Sequence, residues 1–126
     1  MAFSYFNPNP RGRKTGDCAV RAIAKALNIS WESAYIDLTM EGYNLADMPS
    51  SNLVIDRYLK SKGFRKHAIQ DNCIDCYTFA DFMGEFFKGT FVLGTGTHLA
   101  CVIDSTLYDS WDSSDCVPIY YYEKEN

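Results

Sequence analysis

Apolar and polar positions alternate along this chain in two different ways. From residue 17 to about residue 88 the apolar side chains recur at helical spacing; after Gly89 they gather into short β-rich runs separated by turn residues. Four helices are predicted in the first part. Asp17 to Leu27 is alanine-rich with apolar residues at helical intervals, and Asn28 is a stop. A second helix starts after Ser30, an N-cap residue followed by Glu32 in the first turn, and ends at Gly42. A third runs from Ser51 to Lys62, turns Leu53, Val54, Ile55, Tyr58 and Leu59 inward, and is closed by Gly63. A fourth spans Thr78 to Lys88 and carries Phe79, Phe82, Met83, Phe86 and Phe87. Strands follow: Thr90 to Leu93, a hairpin from His98 to Trp111, and a last strand from Val117 to Tyr122 whose tyrosine rings are alternately buried. The segment through Thr15 is rich in Pro, Asn, Gly and basic residues and reads as an extended, turn-rich lead-in. Helices first and strands mostly last predict an α+β domain, N-terminal helices packed on a C-terminal antiparallel sheet, rather than alternating βαβ units.

Composition narrows the class. A chain of 126 residues, 47% hydrophobic, has the length and apolar content of one domain with one packed core, and residues 1–126 are read as that domain. The net charge of -4 argues against a nucleic-acid partner. No apolar run reaches the roughly 18–20 residues of a membrane helix, so no membrane partner is expected and a cytoplasmic location is. Five cysteines do not make a tidy disulfide framework, so free thiols are expected, and the question becomes which one is reactive.

Cys18 stands where the first helix begins, in Thr15-Gly16-Asp17-Cys18. The unpaired N–H groups of a first helical turn favour a thiolate and can hold an oxyanion, and Gly16 lets a substrate come close. The plain alternative is a small apolar residue on an alanine-rich helix. Of two histidines, His67 follows Arg65-Lys66 and reads as solvated, whereas His98 stands at the mouth of an apolar strand. If Asp104-Ser105 is a two-residue turn, paired positions sum to 209, so His98 lies opposite Trp111 and Ala100 opposite Asp109. Residues 98, 100, 109 and 111 then share one face, and Asp109 is the diagonal neighbour of His98. A carboxylate there orients the imidazole and stabilises its charged form. Asp112 points the other way.

With Cys, His and Asp in that order, the residues resemble the papain-like cysteine peptidase superfamily. Gly16-Asp17-Cys18 looks like its nucleophile segment, His98 heads the matching strand, and Asp109-Ser110-Trp111 is similar to the Asn-Ser-Trp segment of papain, with Asp in place of Asn. The double-glycine leader peptidases share the Asp-Cys pair and an Asp as third member. The resemblance covers the first helix and the hairpin. It implies a papain-like fold, a thiol hydrolase or acyltransferase acting on an amide, isopeptide or thioester bond of a protein or peptide, and no cofactor or metal. Those peptidases carry an oxyanion-binding glutamine six residues before the cysteine, where this chain has Gly12. Asn7, Asn9 or a basic side chain from Arg11, Arg13 or Lys14 would take its place, or the Cys18 N–H acts alone; Trp111 is a further substrate-binding candidate.

Other signals compete. Cys73-Ile74-Asp75-Cys76 has the spacing of half a zinc site or a redox pair, but no second pair exists, and packing near the fourth helix is the simpler reading. Residues 11–14 read either as a solvated loop or as positive charge that favours the thiolate and an acidic substrate. Gly94 to Thr97 lacks the lysine and helix of a phosphate loop and fits a mobile wall before His98. The rival to an enzyme is a catalytically weak papain-like fold that serves as a protein-binding or inhibitor module.

Overall fold

The computed structural model describes residues 2–70 and 76–125. It is an α+β fold of four helices and six strands: β1 (Ala2–Tyr5), α1 (Cys18–Leu27), α2 (Trp31–Leu45), α3 (Asn52–Ser61), β2 (Phe64–Ala68), α4 (Phe79–Glu85), β3 (Thr90–Gly94), β4 (Leu99–Ile103), β5 (Thr106–Asp109) and β6 (Tyr120–Lys124). The strands form one sheet in the order β1-β5-β4-β3-β6-β2. All neighbours are antiparallel except β1 and β5, which run parallel from Ala2↔Thr106 to Tyr5↔Asp109.

Side-chain alternation along the strands gives the sheet two apolar faces. Val92, Leu99, Cys101, Tyr120 and Tyr122 face α1, α2 and α3. Phe91, Leu93, Ala100, Val102 and Leu107 face Phe79, Phe82 and Met83 of α4. Tyr120 and Tyr122 are buried and Tyr121 half-buried, the predicted alternation. The sheet is therefore the middle layer of three, and α1 lies across it as an almost wholly buried helix.

The predicted helices and the hairpin exist with shifted ends. α2 runs on to Leu45, beyond Gly42, and α4 stops at Glu85, short of Lys88. Leu53 is 52% exposed rather than inward, one position off the buried stripe of Val54, Ile55, Tyr58 and Leu59. Gly63 follows α3 at φ +87°, a conformation that glycine adopts without strain. Two strands were not anticipated. Residues 2–5 are not a mere lead-in, because their backbone pairs with β5; residues 64–68 form β2, because their backbone pairs with β6. The sheet is consequently mixed rather than purely antiparallel and draws strands from both halves of the chain.

Cys18, Cys101 and Cys116 are free thiols, but Cys76 is disulfide-bonded, which corrects the expectation of five free cysteines. Cys73 lies outside the described residues. No helix among the described residues is long and apolar enough to cross a membrane.

Candidate active site

The site forms where the N-terminus of α1 meets the open end of the β4–β5 hairpin. The hairpin register pairs Cys101 with Tyr108, Val102 with Leu107 and Ile103 with Thr106, the predicted sum of 209. Asp104 and Ser105 make the turn with φ of 47° and 63°, the two positive values that a tight primed turn demands. His98 and Asp109, of the same parity, therefore meet: the His98 Nε2 lies 2.7 Å from Asp109 Oδ2. Its other ring nitrogen is left for the sulfur, and the imidazole hydrogen-bonds the Cys18 thiol. The loop before His98 is tied rather than loose. Thr95 Oγ1 accepts from the Thr97 and His98 N–H groups, and Asn52 Nδ2 donates to Gly96 O.

Electrostatics push the thiol and the imidazole in opposite directions. Burial raises the Cys18 pKa, but the hydrogen bond with His98, the Leu99 N–H and the charges of His98 and Arg21 outweigh it, leaving the thiol below its ordinary value. Burial lowers His98, yet the Asp109 and Cys18 hydrogen bonds and charges hold it up to about 9. For Asp109, burial raises the pKa, and the His98 and Ser113 hydrogen bonds, the His98 charge and the Ser110 N–H bring it below the carboxylate range. The two shifts narrow the usual gap between imidazole and thiol from both sides. Cys101 shows the contrast: burial pushes its thiol up, and the charge of Lys25 offsets only part of that rise.

Asp109 is fully buried and all its acceptor positions are used. Oδ1 takes the Arg21 Nη2 at 3.0 Å and the Ser110 N–H at 2.7 Å; Oδ2 takes His98 and the Ser113 hydroxyl at 2.6 Å. Arg21, only 5% exposed, donates with its other arm to Asp17 Oδ1 at 2.8 Å, and Asp17 Oδ2 accepts the Trp31 indole N–H at 2.9 Å. Trp31, Asp17, Arg21, Asp109, His98 and Cys18 thus form one chain of interactions from α2 to the thiol. Arg21, Ser113 and Trp31 were not expected at the site, and Asp17, expected only as part of the Gly16-Asp17-Cys18 segment, has a defined partner in Arg21. A signal for Arg21 was available: it stands three residues after Cys18 on a helix whose other neighbours are alanine, valine and isoleucine, so burial obliges it to find carboxylates.

Asp17 has a second effect. Ser30, Ser51 and Thr78 cap α2, α3 and α4 with side-chain hydrogen bonds, whereas Asp17, drawn to Arg21 and Trp31, gives α1 none. The first-turn N–H groups beside Cys18 are left without a side-chain acceptor.

Three cavities adjoin here. One of about 460 Å³ is bordered by Cys18, His98, Lys14, Arg21, Ser110 and Trp111. A second, about 400 Å³, is bordered by Cys18, Ser50, Asn52, Ile55, Gly96 and Leu99. A third, about 510 Å³, lies beyond Gly16 between α1 and α2. Trp111 stands against His98, ring centroids 5.1 Å apart, and is half exposed. Of the expected oxyanion donors, Lys14 borders the Cys18 cavity and Asn7, Asn9 and Arg13 do not. Asn9 Oδ1 accepts the Arg11 and Arg13 N–H groups, Asn7 Nδ2 donates to Arg13 O, and Asn9 and Arg13 border the third cavity, which Cys18 does not. These groups shape the entering loop; the amide side chain bordering a Cys18 cavity is Asn52. His67 is not simply solvated: it stacks on Tyr121 and bonds Glu123 at 3.1 Å. Among the described residues no cluster of three or more His, Cys, Asp or Glu is placed to hold a metal.

No family model matches this chain, and no curated protein or solved structure matches it.

Proposed function

We propose that this chain is a small papain-like thiol hydrolase or acyltransferase that attacks an amide, isopeptide or thioester carbonyl through Cys18, His98 and Asp109. The observation that carries the reading is geometric: His98 Nε2 lies 2.7 Å from a fully buried Asp109, and His98 and Cys18 border one cavity at the start of α1, where the thiol is pushed below and the imidazole above its ordinary value. A structural cysteine on a helix needs none of this, and an unpaired buried thiol, as Cys101 shows, moves the other way.

On this reading the steps are as follows. The Cys18 thiolate adds to the carbonyl carbon, and the oxygen takes the negative charge. The uncapped first turn of α1 supplies N–H donors for that oxygen, with Asn52 in the adjoining cavity. As the tetrahedral centre collapses, the His98 imidazolium gives its proton to the departing amine or thiolate, and an acyl thioester remains on Cys18. Water, or an amine acceptor, then attacks while neutral His98 takes its proton; collapse releases the acid or the new amide and restores the thiolate–imidazolium pair. Asp109, held by Arg21, Ser110 and Ser113, fixes the ring orientation throughout.

The test is the pH dependence of Cys18 alkylation by iodoacetamide, read by mass spectrometry, in the native chain and in His98→Ala. A midpoint below the ordinary thiol value that rises in the variant supports the pair. An ordinary midpoint, unmoved by the substitution, would sink the enzyme reading in favour of a binding module.

A further inference from the structure

Strand alternation in β6 sends its middle tyrosine away from Cys18. Tyr120 and Tyr122 pack in the layer of α1, with Cys18 at its rim; Tyr121, of opposite parity, packs against Phe82 of α4 and Phe86 just beyond it. A cavity of about 300 Å³ opens there, beside the end of β2. Tyr77, Phe82, Phe86 and Tyr121 border it, with Glu85 and Gln70. None of its bordering residues touches either cavity at Cys18.

The rings are held in place by their neighbours. Phe82 is fully buried and stacks on Phe86, centroids 4.4 Å apart; Tyr121 lies 5.0 Å from Phe82 and 5.4 Å from Phe86. His67, bonded to Glu123, stacks on Tyr121 at 4.7 Å. The Tyr77 hydroxyl donates to Glu85 Oε2 at 2.6 Å. Tyr77, Phe86 and Tyr121 nevertheless stay only half-buried. The charge that reaches them from carboxylates is negative. Burial, then the bond to Glu85 and the charges of Glu85 and Asp81, raise the Tyr77 hydroxyl; burial, Glu123 and Glu85 raise that of Tyr121. Among the described residues no lysine or arginine borders the cavity, Arg65 on the same face of β2 included.

Fixed aromatic rings beside an acid attract a cation. The acceptors narrow its type. Among the described residues nothing bonds Glu85 Oε1 or the Gln70 side-chain amide. A quaternary ammonium has no N–H for either, and a lysine ammonium has no flat face to lay on a ring. A guanidinium has both, a planar π face and a fork of donors. The volume, at the small end of ligand cavities, suits one side chain. β2 is an outermost strand of the sheet, so a second chain has room to run past the opening.

We propose that this cavity is a docking site, separate from Cys18, for one arginine side chain of a partner polypeptide, with the guanidinium against the Phe86 and Tyr121 rings and bonded to Glu85. The site stands whether or not Cys18 is a nucleophile.

The test is a backbone-amide NMR titration of the whole chain with three pentapeptides, Ac-Gly-Gly-Xaa-Gly-Gly-NH2, in which Xaa is arginine, lysine or citrulline, the uncharged isostere of arginine. The arginine peptide should give saturable shifts at the amides of Ala68, Glu85, Phe86 and Tyr121 and leave those of Cys18 and His98 in place. Citrulline should bind at least ~10-fold more weakly, having lost the charge, and lysine more weakly than arginine. Glu85→Gln, a change at an exposed position, should weaken the arginine peptide at least ~5-fold; should its spectrum show a disturbed fold, Phe86→Leu, which keeps apolar bulk and removes a ring face, should do the same. No saturable shift, shifts centred on Cys18 and His98, lysine or citrulline binding equal to arginine, or undiminished binding in the folded variant overturns the site.

Discussion

Replacing Arg21 by methionine keeps most of the apolar stem but strips two buried carboxylates of their shared cation. Asp17 loses a 2.8 Å ion pair and Asp109 a 3.0 Å one, at sites 7% and 0% exposed. Removing one partner of a buried pair costs ~3–5 kcal/mol, because the charge left behind has neither water nor a counter-ion. A domain of this size has about 5–15 kcal/mol in all. At roughly 4 °C per kcal/mol, the thermal midpoint of Arg21→Met should fall by roughly 12–20 °C. Urea unfolding followed by circular dichroism should give a lower midpoint with an unchanged slope. The deficit should narrow as pH falls from neutrality toward the carboxyl range, since a buried Asp109 lacking Arg21 escapes part of its penalty by taking a proton. The Cys18 alkylation midpoint should rise as well, because the Arg21 charge is among the influences that hold the thiol down. Arg21→Lys should recover part of the loss, one point charge being unable to serve two carboxylates with the reach of a guanidinium. A thermal midpoint within about 2 °C of the native value for Arg21→Met would refute the reasoning that this cation is structurally required between α1 and β5.

In a Cys18→Ala background, where the thiol no longer titrates against it, His98 should add stability that is fully present below its ordinary 6.5 and is lost as pH rises toward the raised value, about 9 in the intact site; urea unfolding across that interval should show the decline, and His98→Gln in the same background should flatten it. Trp31→Phe removes the indole donor from Asp17 Oδ2 and should cost ~1–3 kcal/mol, read from the urea midpoint. Gly94→Ala places a Cβ into the Tyr120 ring and should destabilise by ~1–3 kcal/mol, whereas Gly16→Ala, with open space around it, should stay within ~0.5 kcal/mol; equal thermal midpoints for the two variants would contradict the packing described.

Local chemistry in the sequence carried a good part of this molecule. Apolar periodicity with Ser30, Ser51 and Thr78 as caps located the helices, because those signals act over a few residues and need no knowledge of the rest of the chain. The Asp104-Ser105 turn was enough to bring His98 and Asp109 to one face, since strand parity is a covalent property of the backbone. The tertiary structure decided what depends on distant partners. Ala2 to Tyr5 become a strand only because β5 offers a free edge, a choice that a four-residue segment cannot announce. Arg21 reads locally as one more residue of an alanine-rich helix; its role comes from Asp109, 88 positions away, which burial forces it to meet. Asn7, Asn9 and Arg13 looked like oxyanion donors by nearness in sequence, but Asn7 and Asn9 bond the backbone of the entering loop, Asn9 and Arg13 border the hollow between α1 and α2 rather than a Cys18 cavity, and Asn52 arrives at the Cys18 slot from α3. Gly16 shows the limit most plainly: a glycine in sequence signals freedom of the backbone, and only the packed molecule reveals the open space beside it at the edge of the Cys18 cavities.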